Sequence, residues 1–106
     1  MSDIFCKIIS GDIPSERILD EKDFIAIHDV SPKAPKHALI VPKKHIESMN
    51  ELNDPELAGK LFLAAQQVAE KLGIAKTGYR VMINNGSHGG QEIPHLHIHV
   101  MGGVKL

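Results

Sequence analysis

The segment from Asp54 to Gly73 constrains the fold of this chain more than any other feature of its sequence. Asp54 is a favourable N-cap residue, Pro55 suits the first helical position, and Gly73 suits a C-terminal stop. Between these ends, apolar residues recur at the spacing of one helical face, at Leu57, Leu61, Ala65, Val68, Ala69 and Leu72. The pattern predicts an amphipathic helix over residues 54–72.

Shorter elements surround this helix. Apolar residues at helical spacing between Asp3 and Gly11 predict a first helix over residues 3–10, with those two residues as its caps. Period-two patterns bounded by turn residues predict five strands, at residues 17–20, 24–28, 37–41, 79–83 and 94–101. The order of one helix, three strands, one helix and two strands does not alternate as βαβ units do. We therefore expect one α+β domain over residues 1–106, built on an antiparallel sheet.

The composition excludes several classes of protein. Twelve Lys and Arg against thirteen Asp and Glu give a net charge of −1, and a polyphosphate partner requires clustered positive charge, so we expect no nucleic-acid binding. No apolar run approaches the roughly 18 residues of a membrane span, and the first residues do not resemble a signal peptide. The single Cys6 cannot form an internal disulfide, so we expect the cytoplasm.

Histidine is the residue type that points to chemistry. The chain has seven histidines, and four of them fall between His88 and His99. His95, His97 and His99 alternate with apolar residues, so on a strand their imidazoles would share one face, with starting points roughly 7 Å apart. Repulsion among three imidazolium ions predicts mostly neutral rings with depressed pKa values. A neutral imidazole with a free nitrogen is a nucleophile and also a metal ligand.

A glycine-rich turn from Ser87 to Gln91 precedes this row. Gly89 and Gly90 lack a Cβ, so backbone N–H groups there can approach a ligand closely and form a nest for an anion such as phosphate. Taken alone, Gly-Gly is typical of an ordinary turn. Beside three histidines, it predicts a phosphate and oxyanion cradle next to a nucleophile.

Three residues outside this region, Asp29, His37 and His45, each have two interpretations, and Cys6 has one. Asp29 follows a strand, and it either accepts hydrogen bonds from a ribose diol or serves as a turn or capping acid. His37 and His45 have a structural or solvated role, or else they support a nearby site. Cys6 lies within an apolar helical pattern, and we expect it to pack in the core.

Zinc binding is the alternative use of the histidines. His95 and His97 form a His-x-His ligand pair, and His37 or His45 could complete a tetrahedral site. A structural zinc usually draws on Cys as well, but Cys6 is distant in the sequence. We therefore expect no required cofactor and keep zinc as the alternative.

The sequence resembles the histidine triad (HIT) family, whose pattern is His-x-His-x-His followed by two apolar residues. Residues 95–101 (HLHIHVM) match that pattern completely. The segments DIFCKII (3–9), HDVSP (28–32), HALIVPKKH (37–45) and residues 84–103 resemble the Hint branch of the family. The similarity therefore covers nearly the whole chain, and the combination of the triad with Gly-Gly-Gln and Pro-Lys-Lys-His is highly specific.

The resemblance implies a homodimer, in which two five-stranded sheets join into one ten-stranded sheet, and hydrolysis of purine nucleoside 5'-phosphoramidates such as AMP-linked amines. By the same resemblance, His97 would attack the α-phosphorus and form a nucleotidyl-histidine that water cleaves. His99 would contact a phosphate oxygen, and His95 would orient His97. Asp29 would hold the ribose hydroxyls, with Val30 beside it. Two sets of lining residues are also implied: Asn84, Gly90, Gln91 and Glu92 on the phosphate and leaving-group side, and Ile4, Phe5, Ile8 and Ile27 in the base pocket.

Two departures from the family pattern bear on specificity. Some members have Ser where this chain has Glu92, and a carboxylate there would repel phosphate but could attract or deprotonate an amine leaving group. The sequence ends at Leu106, whereas many relatives have a longer tail that contributes to substrate selection, so we expect looser selectivity. The alternatives are a dinucleoside polyphosphate hydrolase or nucleotidyl transferase of the same superfamily, or a zinc- or nucleotide-binding module without turnover.

Overall fold

The structure, a computed structural model, describes residues 3–106 and shows a five-stranded sheet with one helix on each face. In chain order the elements are α1 (Ile4–Ser10), β1 (Arg17–Asp20), β2 (Phe24–His28), β3 (Lys36–Pro42), a 3-10 turn (Met49–Glu51), α2 (Pro55–Leu72), β4 (Tyr79–Met82) and β5 (Ile98–Gly102). The strands lie in the order β1-β2-β3-β5-β4, and each neighbouring pair is antiparallel. The predicted α+β class and antiparallel sheet are confirmed.

The position of β5 brings the histidine-rich segment to the middle of the sheet. The chain passes from β3 through α2 to the edge strand β4, and it then returns so that β5 lies between β3 and β4. His99 of β5 lies opposite Leu39 of β3 and opposite Met82 of β4. Because its neighbours Ile98 and Val100 pack on the α2 side, His99 projects from the other face of the sheet.

Both helices begin and end at the capping residues that the sequence predicts. The carboxylate of Asp3 accepts a hydrogen bond from the amide N–H of Cys6 at 2.8 Å. The carboxylate of Asp54 likewise accepts two amide hydrogens from the first turn of α2. Gly11 and Gly73 end the helices at φ values of 89° and 75°, a left-handed conformation that favours glycine.

An apolar core lies on each face of the sheet. The larger one lies under α2, whose buried side chains are Leu57, Leu61, Ala64, Ala65, Val68 and Ala69. The smaller one joins α1 to the opposite face, through Phe5, Ile8, Ile25, Ile27, Leu39 and Val41. Covering both faces allows β2 and β3 to be apolar along nearly their whole length. Within residues 3–106, no helix is both long enough and apolar enough to span a membrane.

The prediction for the last strand is wrong at its start. β5 begins at Ile98 instead of residue 94, so His95 and His97 precede the strand and do not share a strand face with His99. Pro94 has no N–H to give to a ladder, and the N–H of His95 turns back to the carbonyl of Ile93 at 2.8 Å. The segment therefore crosses beneath α1 as irregular backbone before it joins the sheet.

Smaller differences concern the ends of other elements. β3 covers residues 36–42, one residue longer at each end than predicted, and β4 ends at Met82 instead of residue 83. The 3-10 turn at Met49–Glu51 has no counterpart among the predicted elements. The predicted bounds of β1 and β2 are confirmed.

Candidate active site

A cavity of about 990 Å³ opens on the α1 side of the sheet. Its wall includes most of the residues that the sequence resemblance assigned to a nucleotide site, namely Ile4, Phe5, Ile8, Ile27, Asp29, Val30, Asn84, Gly90, Glu92, His97 and His99. Two assigned residues, Gln91 and His95, do not line it. The fold thus brings α1, the ends of the central strands and the glycine-rich loop to one cavity.

His97 presents a free ring nitrogen to this cavity. Its Nδ1 lies 2.8 Å from the backbone carbonyl oxygen of His95, and since a carbonyl only accepts, Nδ1 carries the proton. In the neutral ring, Nε2 then keeps an unshared electron pair. The ring is held between Phe5 and His99, with centroid distances of 5.0 and 5.1 Å. The ring of His97 is therefore fixed in orientation, with Nε2 as its free nitrogen.

His37 fixes the tautomer of His99. The backbone N–H of Lys33 donates to Nδ1 of His37 at 3.0 Å, which leaves the proton of the neutral ring on Nε2. That Nε2–H lies 2.9 Å from Nδ1 of His99, so His99 carries its own proton on Nε2 and can donate it to a ligand. A longer contact of 3.4 Å joins His37 Nε2 to Asp29, and the shorter contact to His99 is the better hydrogen bond.

Burial keeps the ring of His99 uncharged. Burial, followed by the neighbouring charges of His97 and His37, lowers the pKa of His99 to about 4. Burial also lowers the pKa of His37. The expected neutral state is thus found at His99, although the leading cause is desolvation rather than repulsion between rings. His37 is buried at 4% exposure and supports the site, which decides between its two sequence interpretations.

His95 faces away from the cavity into a separate group of side chains. It is fully buried, and its Nε2 lies 2.9 Å from the carbonyl oxygen of Pro42. Its Nδ1 lies 3.2 Å from the carboxylate of Asp3 and 3.6 Å from Sγ of Cys6. Nδ1 of His45 lies 3.2 Å from the same carboxylate and 3.5 Å from the same sulfur. We call these four residues the Asp3 cluster.

The Asp3 cluster changes two expectations. Cys6 is partly exposed and contacts two imidazoles, so the prediction of simple core packing is wrong, and its distance in the sequence does not separate it from the histidines. Burial raises the pKa of Asp3, but the Cys6 N–H and the charge of His95 outweigh burial and hold that pKa below its ordinary value. The cluster therefore favours an ionised carboxylate.

The histidines proposed for zinc do not form one site. His45 and His95 belong to the Asp3 cluster, where one nitrogen from each, a carboxylate oxygen and a sulfur all lie within 4.8 Å of one another. His37 groups with His99 and Asp29, and His97 belongs to neither set. Carboxylate, thiolate and two imidazoles are ligands that zinc accepts in tetrahedral sites. Among residues 3–106, the Asp3 cluster is thus the group of donors that fits zinc best.

The glycine-rich loop is a closed turn and not an open nest. The N–H groups of Gly89, Gly90 and Gln91 donate to carbonyls within the loop, at 3.0 to 3.1 Å. The expected set of free phosphate-binding amides is therefore not found at these three residues. A Cβ at Gly89 would collide with the backbone of Asn85, which explains why glycine stands there.

Gln91 holds this loop in place instead of lining the cavity. Its Oε1 accepts from the N–H of Gly86 at 2.9 Å, and its Nε2 donates to the carbonyls of Glu47 and Ile93 at 2.8 and 3.0 Å. Asn84 Nδ2 donates to the carbonyl of Gly89 at 2.8 Å. The two amides therefore position the loop edge that Gly90 and Glu92 present to the cavity.

Asp29 takes the turn-capping role, which is one of its two sequence interpretations, while ribose binding stays a prediction. One carboxylate oxygen accepts the N–H of Ser31 at 2.9 Å, which is the turn-capping role. The side chain also lines the cavity, next to Val30 and within 3.4 Å of His37. A carboxylate has lone pairs beyond those two contacts, so it can accept further hydrogen bonds from a ligand.

The fold places the free Nε2 of His97 beside the neutral ring of His99, whose Nε2–H can donate. This arrangement defines a histidine-centred site for nucleophilic or binding chemistry. The HIT domain profile matches residues 10–106, which include the complete His-x-His-x-His pattern. The chain therefore belongs to the HIT domain family.

Three similar proteins that are named for the HIT family or the histidine triad match this chain over more than 90% of its length. An uncharacterized HIT-like protein from Buchnera aphidicola subsp. Baizongia pistaciae is 47% identical over 105 residues, which cover 97% of this chain and 94% of that protein. A solved HIT family hydrolase from Legionella pneumophila Philadelphia 1 has a TM-score of 0.94 at 40% identity and covers 98% of this chain and 95% of its own. A histidine triad nucleotide-binding protein from Candida albicans has a TM-score of 0.87 at 30% identity, and the match covers 93% of this chain and 73% of that protein.

Proposed function

We propose that this protein hydrolyses purine nucleoside 5'-phosphoramidates, that is, AMP- or GMP-linked amines, as a member of the Hint branch. The observation that carries the proposal is the orientation of His97, whose Nδ1 is held by the carbonyl of His95 and whose Nε2 is free in the cavity. The neutral His99 beside it supplies an N–H donor for a phosphate oxygen. A hydrolase and a nucleotide-binding protein among the similar structures support this reading.

The substrate would lie across the cavity with its base on the apolar wall of α1. Phe5 and Ile8 would contact the base, and Asp29 would accept hydrogen bonds from the ribose hydroxyls. The α-phosphate would then reach His97, with a nonbridging oxygen on the Nε2–H of His99. Holding the phosphorus against the nucleophile makes the attack an effectively unimolecular step, which lowers the entropic part of the barrier.

The reaction would proceed in two displacements. Nε2 of His97 attacks the α-phosphorus, a P–N bond to the ring forms, and the P–N bond to the amine breaks as the departing nitrogen takes up a proton. Water then attacks the same phosphorus and releases the nucleoside monophosphate and free His97. Glu92 lines the cavity beside the loop, where its carboxylate would attract the protonated amine.

The test is to trap the covalent intermediate. The protein is mixed with AMP-amide, quenched with base, digested at alkaline pH and examined by mass spectrometry, because the phosphoramidate bond to histidine is labile in acid and survives alkaline conditions. We expect an adenylyl group on His97, and none on the same peptide in His97→Ala. Turnover of diadenosine polyphosphates at a higher kcat/KM than AMP-amide would instead favour the polyphosphate hydrolase or transferase alternative.

A homodimer is proposed through the edge strand β4. β4 is an outer strand of the sheet, and its Tyr79 and Val81 are 36% and 40% exposed. An unpaired edge with exposed apolar side chains is suited to pairing with a second copy. Light scattering should give twice the chain mass, and Val81→Lys should shift the protein towards a monomer, whereas a wild-type monomer would contradict the ten-stranded sheet.

A zinc ion in the Asp3 cluster is a second proposal, which the convergence of four donor atoms favours. His95 would bind through Nδ1 while its Nε2–H donates to Pro42, the usual second contact of a zinc-bound histidine. The thiolate of Cys6 needs reducing conditions, which suits the proposed cytoplasmic location. Metal analysis should find one zinc per chain, and Cys6→Ser should lower that content, whereas zinc-free protein with full turnover would leave the cluster without a metal.

A further inference from the structure

The cavity wall includes residues beyond those proposed to hold the nucleotide. Among them are Arg80 and Met82 of β4, Met101 of β5, Lys33 from the loop before β3, and Leu106. A volume of about 990 Å³ is near the upper end of the range of roughly 300–1,000 Å³ that holds a drug-sized ligand. The cavity therefore offers room for a group attached to the phosphate of a bound nucleotide.

Strand register places Arg80 close to the phosphate position. Arg80 pairs with Met101 across the β4–β5 ladder, and the next pair on the same face joins Met82 to His99. Arg80 and His99 are thus diagonal neighbours on one sheet face, a relation in which Cα atoms lie about 7–8 Å apart and long side chains still meet. A guanidinium there can reach groups carried by the phosphorus near His99.

Lys33 lines the same cavity from the loop before β3. Its backbone N–H is fixed by the hydrogen bond to His37. After burial and other nearby charges, the Lys33 charge also contributes to lowering the pKa of His37 and of His99. The ammonium group therefore lies near both rings.

The position of these two cations distinguishes them from the other basic residues. Among the Lys and Arg residues within 3–106, only Lys33 and Arg80 line the cavity. In that described part neither forms an ion pair, which is also true of lysines outside the cavity such as Lys7 and Lys76. Two unpaired cations in one cavity are suited to bind an anion.

We infer that Arg80 and Lys33 form an anion subsite that selects amine leaving groups bearing an anionic substituent, such as the carboxylate of an amino acid. The inference rests on the proposed phosphoramidate hydrolysis, because it names the group that leaves. The nitrogen of the leaving group would remain near Glu92, and its acidic end would reach the two cations. Substrates of this class are amino acids or other acidic amines joined through nitrogen to a nucleoside monophosphate.

The test compares two substrates that differ by one charge. AMP joined through nitrogen to glycine carries a carboxylate, and AMP joined to glycinamide is nearly isosteric but neutral at that end. We expect a higher kcat/KM for the glycine conjugate, and we expect Arg80→Gln or Lys33→Gln to reduce this preference by about two- to fivefold, the effect of losing a contact between exposed charges. Lys76→Gln removes the same charge outside the cavity, and it should leave the preference unchanged.

Binding separates failure of the subsite from failure of the proposed reaction. The affinity of both conjugates and of AMP is measured for His97→Ala, with and without Arg80→Gln. Stronger binding of the glycine conjugate that Arg80→Gln removes supports the subsite even if wild-type protein hydrolyses neither compound, a result that would reject only the hydrolysis. Equal handling of both conjugates, or an equal loss for both conjugates and AMP, would overturn the inference and assign Arg80 to the α-phosphate itself.

Discussion

The histidines of one short segment enter two different environments. His97 and His99 face the cavity, where one ring has a free nitrogen and the other is a neutral donor. His95, two residues earlier, is fully buried beneath α1, with a carbonyl on one nitrogen and a carboxylate on the other. Chemically identical side chains thus acquire different roles from their surroundings, with catalysis proposed for the cavity pair and structure or metal binding for the buried ring.

The largest effect should come from removing the proposed nucleophile. His97→Ala should lower kcat for AMP-amide by roughly 10³-fold or more, because the covalent route is lost, while the protein still binds AMP. Turnover is measured by release of AMP, and binding by calorimetry. The matched control is His88→Ala, an exposed histidine outside the cavity, which should keep wild-type activity. Activity of His97→Ala close to wild type would remove the proposed role.

Stability should separate the buried ring from the cavity ring. His95→Ala should reduce the free energy of unfolding by about 2–4 kcal/mol, since it opens a cavity, leaves the carbonyl of Pro42 without its imidazole donor and removes one of the partners of Asp3. His97→Ala should cost less than about 1 kcal/mol, because that ring is partly exposed. Urea denaturation with and without a chelator measures both losses and separates any contribution of zinc. Equal losses for the two variants would contradict the contrast between the two environments.

Nucleotide binding should depend on Asp29 in a way that reports on the ribose. Asp29→Asn keeps an oxygen that can accept the N–H of Ser31, but it weakens acceptance from two hydroxyls. We expect about a tenfold loss of affinity for AMP, the size of one charge-assisted hydrogen bond, and a smaller loss for deoxy-AMP. If both ligands weaken equally, the diol assignment is wrong and Asp29 acts only through His37 or the turn.

The pH dependence of stability should report on the charge state of His99. Because the pKa of His99 is about 4 in the folded protein and about 6.5 in the unfolded chain, only the unfolded chain binds that proton between these values. Its contribution to stability is complete above pH 6.5 and is lost as the pH falls to about 4. His99→Asn should flatten the decline in the denaturation midpoint over this window. An unchanged slope would mean that the ring is charged in the folded state. The pKa of Asp3 is also lowered, so the stability that its ionised carboxylate contributes is lost only at more acidic pH.

Local signals predicted the helices and most strands because each depends on nearby residues. Asp54 caps amides within its own first turn, and Gly73 takes a conformation that other residues avoid. The predicted strand over residues 94–97 failed because alternation of polar and apolar residues does not reveal where a ladder partner ends. β3 supplies partners only as far as Ile98, and Pro94 has no N–H to donate.

The candidate site likewise combines residues that the sequence predicts with contacts that only the assembled fold makes. Residues at its centre, His97 and His99, are visible in the sequence as a pattern with chemical meaning. The contact of His37 with His99 and the contact of Cys6 with His95 are not visible, since 62 and 89 residues separate the partners. Such contacts arise only when β3, β5 and α1 are assembled, and no periodicity records them.

The sequence by itself determined the helices, the antiparallel class and the identity of the histidines at the candidate site, because caps, apolar spacing and side-chain chemistry are local properties. Tertiary structure decided which nitrogen of each ring is free, which ring is buried and which cations line the cavity. The physical reason is that protonation and exposure depend on atoms brought together by packing, such as the carbonyl of His95 at His97 and the ring of His37 at His99.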